Sequence, residues 1–313
     1  MGIQTSTINN GPTSGFKNAV INGNFDFWRR GTSVNVSGGF AADRWRLDRV
    51  GSLCTLSQQA FTPGQTEVPG NPRFWMRNAV VSVSGVANGV AVLQYIEDVR
   101  TFAGQQVTVS YWAKAGSSKP IALSFGQFFG TGGSPSGTVE SFVAKPTLTT
   151  SWARYSHTVT IPSISGKIIG SDLNSSSSYL AFTFDAGNLY GRITGGLGQQ
   201  SGTFDIAQVQ VEAGPVATAF EQRSIETELA MCQRYYQFFT ELVCNPAVAS
   251  GSAMVQSFPL MNQMRVAPGV LYNNKYGSVS SIFTRADSIT LNGGIRDANG
   301  RWGAENVALS ADY

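Results

Sequence analysis

The 313-residue chain has little charge, one histidine and few cysteines: 13% of its residues are charged and three are cysteine. The single histidine, His157, cannot supply a histidine-rich metal site, and it argues against a catalytic triad. Cys54, Cys232 and Cys244 show no CxxC spacing, which indicates neither a disulfide framework nor a zinc site. Free thiols are the expected state, and a bridge between Cys232 and Cys244 is the alternative left open.

Long runs of one kind of side chain are absent as well. The 22 basic and 19 acidic residues are scattered, so no basic stripe points to a nucleic acid partner. No apolar stretch suits membrane insertion, and residues 1–15 lack the basic and apolar regions of a secretory signal. The GxSxG, HExxH and Walker patterns are missing too. Together these absences predict a protein that is not an enzyme.

Turn-forming and apolar residues are abundant: the chain has 35 glycines and 12 prolines, and 42% of it is apolar. Apolar side chains alternate with polar or small ones at residues 107–111, 157–161 and 180–184, which is typical of β-strands. Residues 204–212 change phase midway, which predicts a bulge or a strand buried on both faces. The composition and patterns therefore predict an all-β protein built as an antiparallel sandwich.

One helix is expected near Ser224, which can cap it, with Glu226 and Glu228 in the first turn. The chain then divides into four predicted parts: a polar N-terminal arm (1–17), the sandwich (18–222), a connecting amphipathic helix (223–241) and a small C-terminal β domain (242–313).

Aromatic residues beside Gly- and Pro-rich loops are candidates for exposed stacking surfaces on which sugar rings could pack. The alternative for each of them is an ordinary place in the core. The predicted carbohydrate-binding residues are Trp75, Phe128, Phe129 and Tyr190.

Two sets of motifs carry a family resemblance. Residues 22–28 (Asn-Gly-Asn-Phe-Asp-Phe-Trp) and 42–47 resemble the opening of carbohydrate-binding jelly rolls, and the likeness continues through residues 107–114, 150–155 and 204–214. Residues 218–223 (Thr-Ala-Phe-Glu-Gln-Arg) and 228–236 are similar to a junction in bacteriophage tail-fibre proteins, and residues 263–268 resemble a piece of their C-terminal segment. The resemblance implies that the sandwich is a jelly roll.

The resemblance also implies partners and a location. It implies a virion protein, part of a tail fibre or surface appendage, that is assembled in the host cytoplasm as a homotrimer. It would attach to other virion proteins through its N-terminal arm and bind host surface polysaccharide. Related modules hold a structural calcium ion through oxygen ligands, and hard oxygen ligands suit that ion. The residues that would correspond to those ligands here are Asp26 and Asp205.

Three functions remain open at this point. The first is a tail fibre or receptor-binding protein that recognises host glycans. The second is a purely structural head or tail decoration, or a fibre adaptor, that has the same fold and binds no sugar, because a fold does not fix a function. The third, a capsule depolymerase, is disfavoured because the chain shows no β-helix repeat period.

Overall fold

A computed structural model describes residues 15–244, 254–276, 279–293 and 302–312. The chain forms two compact units, Met1–Arg223 and Ser224–Tyr313. Residues 1–14, most of the predicted arm, lie outside the described residues. No helix in the described part is long and apolar enough to span a bilayer.

The N-terminal unit is a sandwich of two antiparallel six-stranded sheets, here named sheet A and sheet B. Sheet A consists, from edge to edge, of β1 (Ser33–Val34), β4 (Leu53–Ala60), β5 (Phe74–Val81), β14 (Gly202–Ala213), β7 (Gln106–Ala115) and β12 (Ala153–Thr160). Sheet B consists of β10 (Val139–Ala144), β9 (Ala122–Phe128), β13 (Ser177–Ala186), β6 (Gly89–Glu97), β3 (Arg46–Val50) and β2 (Gly39–Phe40). This architecture confirms the predicted all-β sandwich.

Smaller elements connect these strands. Strands β8 (Lys119–Pro120) and β11 (Thr147–Leu148) pair with each other. The connection between β13 and β14 contains a 3-10 turn (Asn188–Tyr190) and the four-residue helix α1 (Gly191–Thr194), which contacts β9, β10 and β13. The short helix therefore packs against sheet B.

The core between the sheets follows the alternation in the sequence. Val107, Val109 and Tyr111 of β7 face Phe182 and other residues from sheet B, and all are fully buried. Strand β14 has a register shift between Ala207 and Gln210, so the predicted bulge is present. The bulge keeps Val209 and Val211 in the core although they are out of phase with Phe204.

The Asn-Gly-x-Phe motif forms a tight loop before the first strands. Asn22 has a left-handed φ of 56°, and its side chain binds the backbone of Phe27 at both N and O. A Cβ on Gly23 would lie 2.2 Å from the Val209 carbonyl oxygen, so only glycine fits there. The Trp45 indole donates to the Asn22 carbonyl oxygen, which ties the two resemblance motifs together.

The predicted helix of residues 223–241 is shorter in the structure. Helix α2 is Ile225–Gln233, and Ser224 caps it by accepting a hydrogen bond from the Thr227 amide at 3.3 Å. Residues 236–241 belong to a strand instead, so this part of the prediction is wrong. The reason is that Tyr236, Phe239 and their neighbours favour a pleated surface, and the strand pairs with β21 from Tyr236 to Cys244.

The C-terminal unit contains two sheets around a core that includes Leu242, Ile289, Leu291, Val307 and Leu309. One sheet consists of β15 (Tyr236–Cys244), β17 (Gly269–Leu271), β18 (Asn274–Tyr276) and β21 (Trp302–Ser310). The other consists of β16 (Met254–Pro259), β19 (Val279–Thr284) and β20 (Ser288–Gly293).

The cysteines are described in part. Cys54 is buried in the N-terminal unit, where burial raises its thiol pKa to about 12. The Cys244 side chain lies outside the described residues, so its pairing with Cys232 stays a prediction.

Candidate functional site

The outer face of sheet B carries two tyrosines side by side. Tyr95 of β6 lies opposite Tyr179 of β13, which in turn lies opposite Gly126 of β9. The ring centroids of Tyr95 and Tyr179 are 5.7 Å apart. Both rings are half-buried and alternate with core residues, so they point away from the sandwich interior. We call this surface, with the residues paired to it across sheet B, the tyrosine face.

Gly126 allows the Tyr179 ring to lie flat on the sheet. A Cβ at position 126 would lie 2.0 Å from Cζ and 2.5 Å from the hydroxyl oxygen of Tyr179. Any side chain here would therefore displace the ring. A glycine inside a strand often marks a place where another group approaches the backbone closely, and here that group is the tyrosine ring.

Hydrogen bonds fix both phenol groups. The Tyr179 hydroxyl donates to Glu140 Oε1 at 2.6 Å, and the Tyr95 hydroxyl accepts from Arg46 at 3.0 Å. Burial raises the pKa of both tyrosines, and the hydrogen bond to Glu140 raises that of Tyr179 further. Both phenols are therefore neutral over the physiological range.

Charged groups extend this hydrogen-bonded network beyond both phenols. Arg46 pairs with Asp48 at 3.0 Å, and Arg192 lies 3.8 Å from Glu140. These four side chains form two ion pairs, so their charges cancel. Burial raises the pKa of Asp48, and the Arg46 charge opposes this shift. The balanced charges and neutral phenols suit an uncharged ligand that forms hydrogen bonds.

The next row of the tyrosine face contains two small side chains and a leucine. Ser124 pairs with Ala181, which pairs with Leu93. At one end of this row Phe142, which is 41% exposed, lies so close to Gly195 that a Cβ there would be 2.7 Å from its ring. The two tyrosines therefore stand beside a low strip of sheet, and Phe142 flanks the strip.

A buried arginine supports the tyrosine pair from below. Arg44, 2% exposed, donates to the Tyr95 carbonyl oxygen at 2.7 Å. Side chains that are held in place lose little conformational entropy when a ligand binds, so a fixed tyrosine pair is suited to stacking.

The four predicted carbohydrate-binding residues do not form one site. Phe128 lies on the tyrosine face, opposite Ser177 in the row next to Tyr179. Tyr190 lies against Gly89 of sheet B, and its hydroxyl donates to the Ala87 carbonyl oxygen at 3.0 Å. Phe129 is 1% exposed, so its predicted exposure is wrong. Phe129 lies beside a loop in the sequence, and that position does not show that its ring is turned inward.

Trp75 lies on the opposite side of the sandwich, on the outer face of sheet A. It packs 4.5 Å from Phe61 and edge-on to Trp152 at 5.9 Å, measured between ring centroids. Trp112 packs against the same cluster, which the buried Val68 also joins. Much of the Trp75 surface is therefore used in a small second core beneath residues 61–72.

Residues 214–223, here named the strap, pass across another part of this face. Glu221 accepts hydrogen bonds from the amides of Lys17 and Asn18 at 3.0 and 2.9 Å. The buried Arg223 side chain donates to the carbonyl oxygens of Asn18 and Val20. The Glu-Gln-Arg part of the resemblance motif thus fastens the end of the N-terminal unit to its beginning.

The two predicted calcium ligands do not fit a shared cation site. Both carboxylate oxygens of Asp205 accept hydrogen bonds from Arg77, each at 2.8 Å. Asp26 accepts from the Asn24 amide, and burial raises its pKa, which favours the neutral form. Among the described residues, no three His, Cys, Asp or Glu side chains are grouped as metal ligands would be.

Sequence reasoning missed Tyr95, Tyr179 and Glu140. A signal was present for Tyr179, because it stands in the opposite phase to Leu180, Phe182 and Phe184 and must face outward if they face the core. No local signal pairs it with Tyr95, since these two residues are 84 positions apart and meet only through strand register.

Comparison with known proteins gives similarity in structure and none in sequence. No protein-family model matches the chain, and no curated protein matches it. A tailspike protein 4 enzymatically active domain of bacteriophage CBA120 is similar over 63% of this chain and 21% of its own length, with 14% identity and a TM-score of 0.36. This chain therefore corresponds to about a fifth of that tailspike domain.

Two carbohydrate-binding modules are similar over nearly their whole length. A family 61 module in complex with β-1,4-galactotriose matches 64% of this chain and 100% of its own, with 9% identity and a TM-score of 0.34. A family 11 module from Clostridium thermocellum, in complex with a mixed-linked tetrasaccharide, matches 60% and 98%, with 10% identity and a TM-score of 0.34.

Proposed function

We propose that this protein binds glycans through the tyrosine face and has no catalytic role there. The observation that carries the proposal is the fixed pair Tyr95 and Tyr179, with its phenols bonded to Arg46 and Glu140. Aromatic faces beside hydrogen-bonding groups are a general means of recognising sugars, because the ring C–H faces stack while the hydroxyls find polar partners.

The biological setting that fits this activity best is host attachment by a phage tail fibre or receptor-binding protein. The strap supports this setting, because the tail-fibre-like residues Glu221 and Arg223 fasten the sandwich at the point where the C-terminal unit begins. One sugar site binds weakly, and several copies on one particle share an effective concentration that strengthens attachment.

A homotrimer is part of the same proposal. In the C-terminal unit, large apolar side chains stay exposed at 55–75%, and an assembly of copies would cover them. These residues are Val255, Met261, Leu271 and Phe283. Native mass measurement of the full chain at micromolar concentration is expected to give three copies, and a stable monomer would contradict this part of the proposal.

Glycan-array binding of the full chain tests the main proposal. We expect neutral oligosaccharides to bind, and we expect Tyr95→Ala and Tyr179→Ala each to weaken that binding at least about tenfold, because each removes one stacking surface. Tyr272→Ala is the matched control, since Tyr272 is a 39% exposed tyrosine of the C-terminal unit. Unchanged binding in both tyrosine-face variants contradicts the proposal.

The second candidate is a structural virion component without a sugar site. The covered parts of sheet A favour it, because they show that the sandwich already uses one outer face for packing. Absence of binding to any neutral or host-surface glycan, together with a stable assembly, would establish this alternative.

A further inference from the structure

Lys114 of β7 carries a positive charge that no carboxylate of the described residues pairs with. Its Nζ lies 5.7 Å from the Trp75 ring centroid and 5.0 Å from that of Trp152. Within the described part of the chain, this ammonium makes no hydrogen bond and no ion pair. The two rings hold the cation in place, and its N–H donors remain available to another molecule.

The carboxylate that faces Lys114 across the sheet is already paired. Asp205 lies directly opposite Lys114 across the sheet, but both of its oxygens accept from Arg77. Arg154, opposite Trp112, donates to Ser110 and to the Thr218 carbonyl oxygen, both neutral groups. Among the described residues, Asp205 is paired with Arg77, whereas neither Lys114 nor Arg154 forms an ion pair.

The tryptophans beside Lys114 supply fixed ring surfaces. Trp75 and Trp112 are half-buried, whereas Trp152 of the same cluster is 8% exposed. Phe61 packs against Trp75 and holds its ring. We call Trp75, Trp112, Trp152 and Lys114 the tryptophan–lysine patch.

The charge and shape of the patch select its ligand. A single available ammonium beside aromatic rings fits one carboxylate attached to a stackable ring, whereas nucleic acid binding needs cations along a phosphate backbone. The first 14 residues of the chain contain no Asp or Glu, so that segment cannot supply the missing anion.

We propose that the tryptophan–lysine patch is a second glycan site that takes an acidic sugar. The carboxylate of a uronic or sialic acid residue pairs with Lys114, and an adjacent sugar ring stacks on Trp112. The inference rests on the proposed function only in that the ligand is a saccharide, because the patch and the tyrosine face belong to opposite sheets.

Isothermal titration of the full chain with three acidic probes tests this site: tetragalacturonate, a hyaluronate tetrasaccharide and α-2,8-linked disialate. At least one probe is expected to bind, and its methyl ester should bind about tenfold more weakly, as should the acid itself to Lys114→Gln. Raising the salt to about 0.5 M should weaken binding of the acid, since the contact is partly exposed.

Lys167→Gln is the matched control, because Lys167 lies on an exposed loop away from the tryptophans. Trp112→Phe keeps an aromatic ring in the cluster and should weaken the acidic probe, and a melting curve for each variant verifies its fold. If no acidic probe binds in a Lys114-dependent manner, the patch proposal is overturned, whether or not neutral glycans bind.

The remaining outcomes separate the two sites. Loss of acidic binding in Tyr95→Ala or Tyr179→Ala, with Lys114→Gln unaffected, would mean that one face takes both ligands and would overturn the second site. Lys114-dependent acidic binding without any tyrosine-dependent neutral binding would support the patch and contradict the proposed role of the tyrosine face.

Discussion

The two outer faces of the sandwich differ in what covers them. On sheet A, the strap and residues 61–72 lie over polar and aromatic side chains, and Gln210 and Glu212 are almost fully buried beneath neighbours such as Thr218. On sheet B, the middle of the face remains half-exposed around Tyr95 and Tyr179, and α1 packs against one part of the sheet.

The chemistry of the two faces differs as well. The tyrosine face balances Arg46 and Arg192 against Asp48 and Glu140, whereas the tryptophan–lysine patch has an excess of positive charge. Sheet A thus fastens the N-terminal unit and carries the tryptophan–lysine patch, while sheet B leaves a surface of paired charges exposed. Variants that damage one face should leave the other intact.

The largest effect is expected from releasing the strap. Arg223→Ala removes a guanidinium, 2% exposed, from the carbonyl oxygens of Asn18 and Val20, and charge-assisted hydrogen bonds of this kind contribute about 1.5–3 kcal/mol each. We expect the free energy of unfolding of the N-terminal unit to fall by about 2–4 kcal/mol, as measured by urea denaturation.

Arg192→Ala is the control for the strap, because its ion pair is exposed and should contribute under about 1 kcal/mol. Folded Arg223→Ala protein should still bind neutral glycans. Loss of that binding at a temperature where the variant is folded would show that the two faces are coupled.

Gly126→Ala tests the tyrosine face of sheet B. The added Cβ would collide with the Tyr179 ring, and such overpacking costs about 1–3 kcal/mol. Glycan affinity should fall at least about tenfold because the ring leaves the sheet. Gly137→Ala, whose added Cβ meets no atom within 4 Å, should change neither property. Normal affinity in Gly126→Ala would mean that the flat placement of the ring is unimportant for binding.

Two Tyr→Phe changes separate hydrogen bonding from ring stacking. Tyr179→Phe removes the bond to Glu140 and should cost about 1 kcal/mol, with a two- to fivefold loss of glycan affinity. Tyr155→Phe, on sheet A, removes two longer bonds, both 3.3 Å, in which the hydroxyl donates to the Thr147 carbonyl oxygen and accepts from the Thr149 amide. It should leave affinity unchanged. Equal affinity in both variants would show that the phenol network is not used in recognition.

The smallest effect concerns pH. Burial lowers the pKa of His157 below its ordinary 6.5, so the folded state takes up a proton less readily than the unfolded state. The stability that the neutral imidazole contributes is present above about pH 6.5 and is lost as the pH falls through the lowered folded-state pKa.

Because His157 is the only histidine, the difference between wild type and His157→Gln isolates this contribution. Denaturation curves between pH 7.5 and 5 should show a loss of stability in wild type that the variant lacks, on the order of 1 kcal/mol or less. Parallel curves for the two proteins would contradict the shift. Neutral-glycan binding should not follow this change, since His157 faces Tyr111 on the core side of sheet A.

The sequence by itself determined the fold class, and it did so for a local reason. The alternation of Val107, Val109 and Tyr111 and the phase change before Val209 reflect a period of two, and the turn residues mark where strands end. Each of these signals is visible in a short window of sequence. The helix cap at Ser224 could also be predicted from neighbouring residues. The end of α2 could not, because strand pairing along β15 determines where the helix ends.

Only the tertiary structure decided where the candidate site lies. Tyr95, Tyr179, Gly126 and Glu140 come from four strands, and their meeting depends on the order and register of sheet B. Register is a property of two strands at once, so no single segment encodes it. The positions of Phe129 and Trp75, which stand beside similar loops in the sequence, were also decided by tertiary packing. The Phe129 ring is turned inward, and Trp75 is covered on the outer face of sheet A by the cluster beneath residues 61–72.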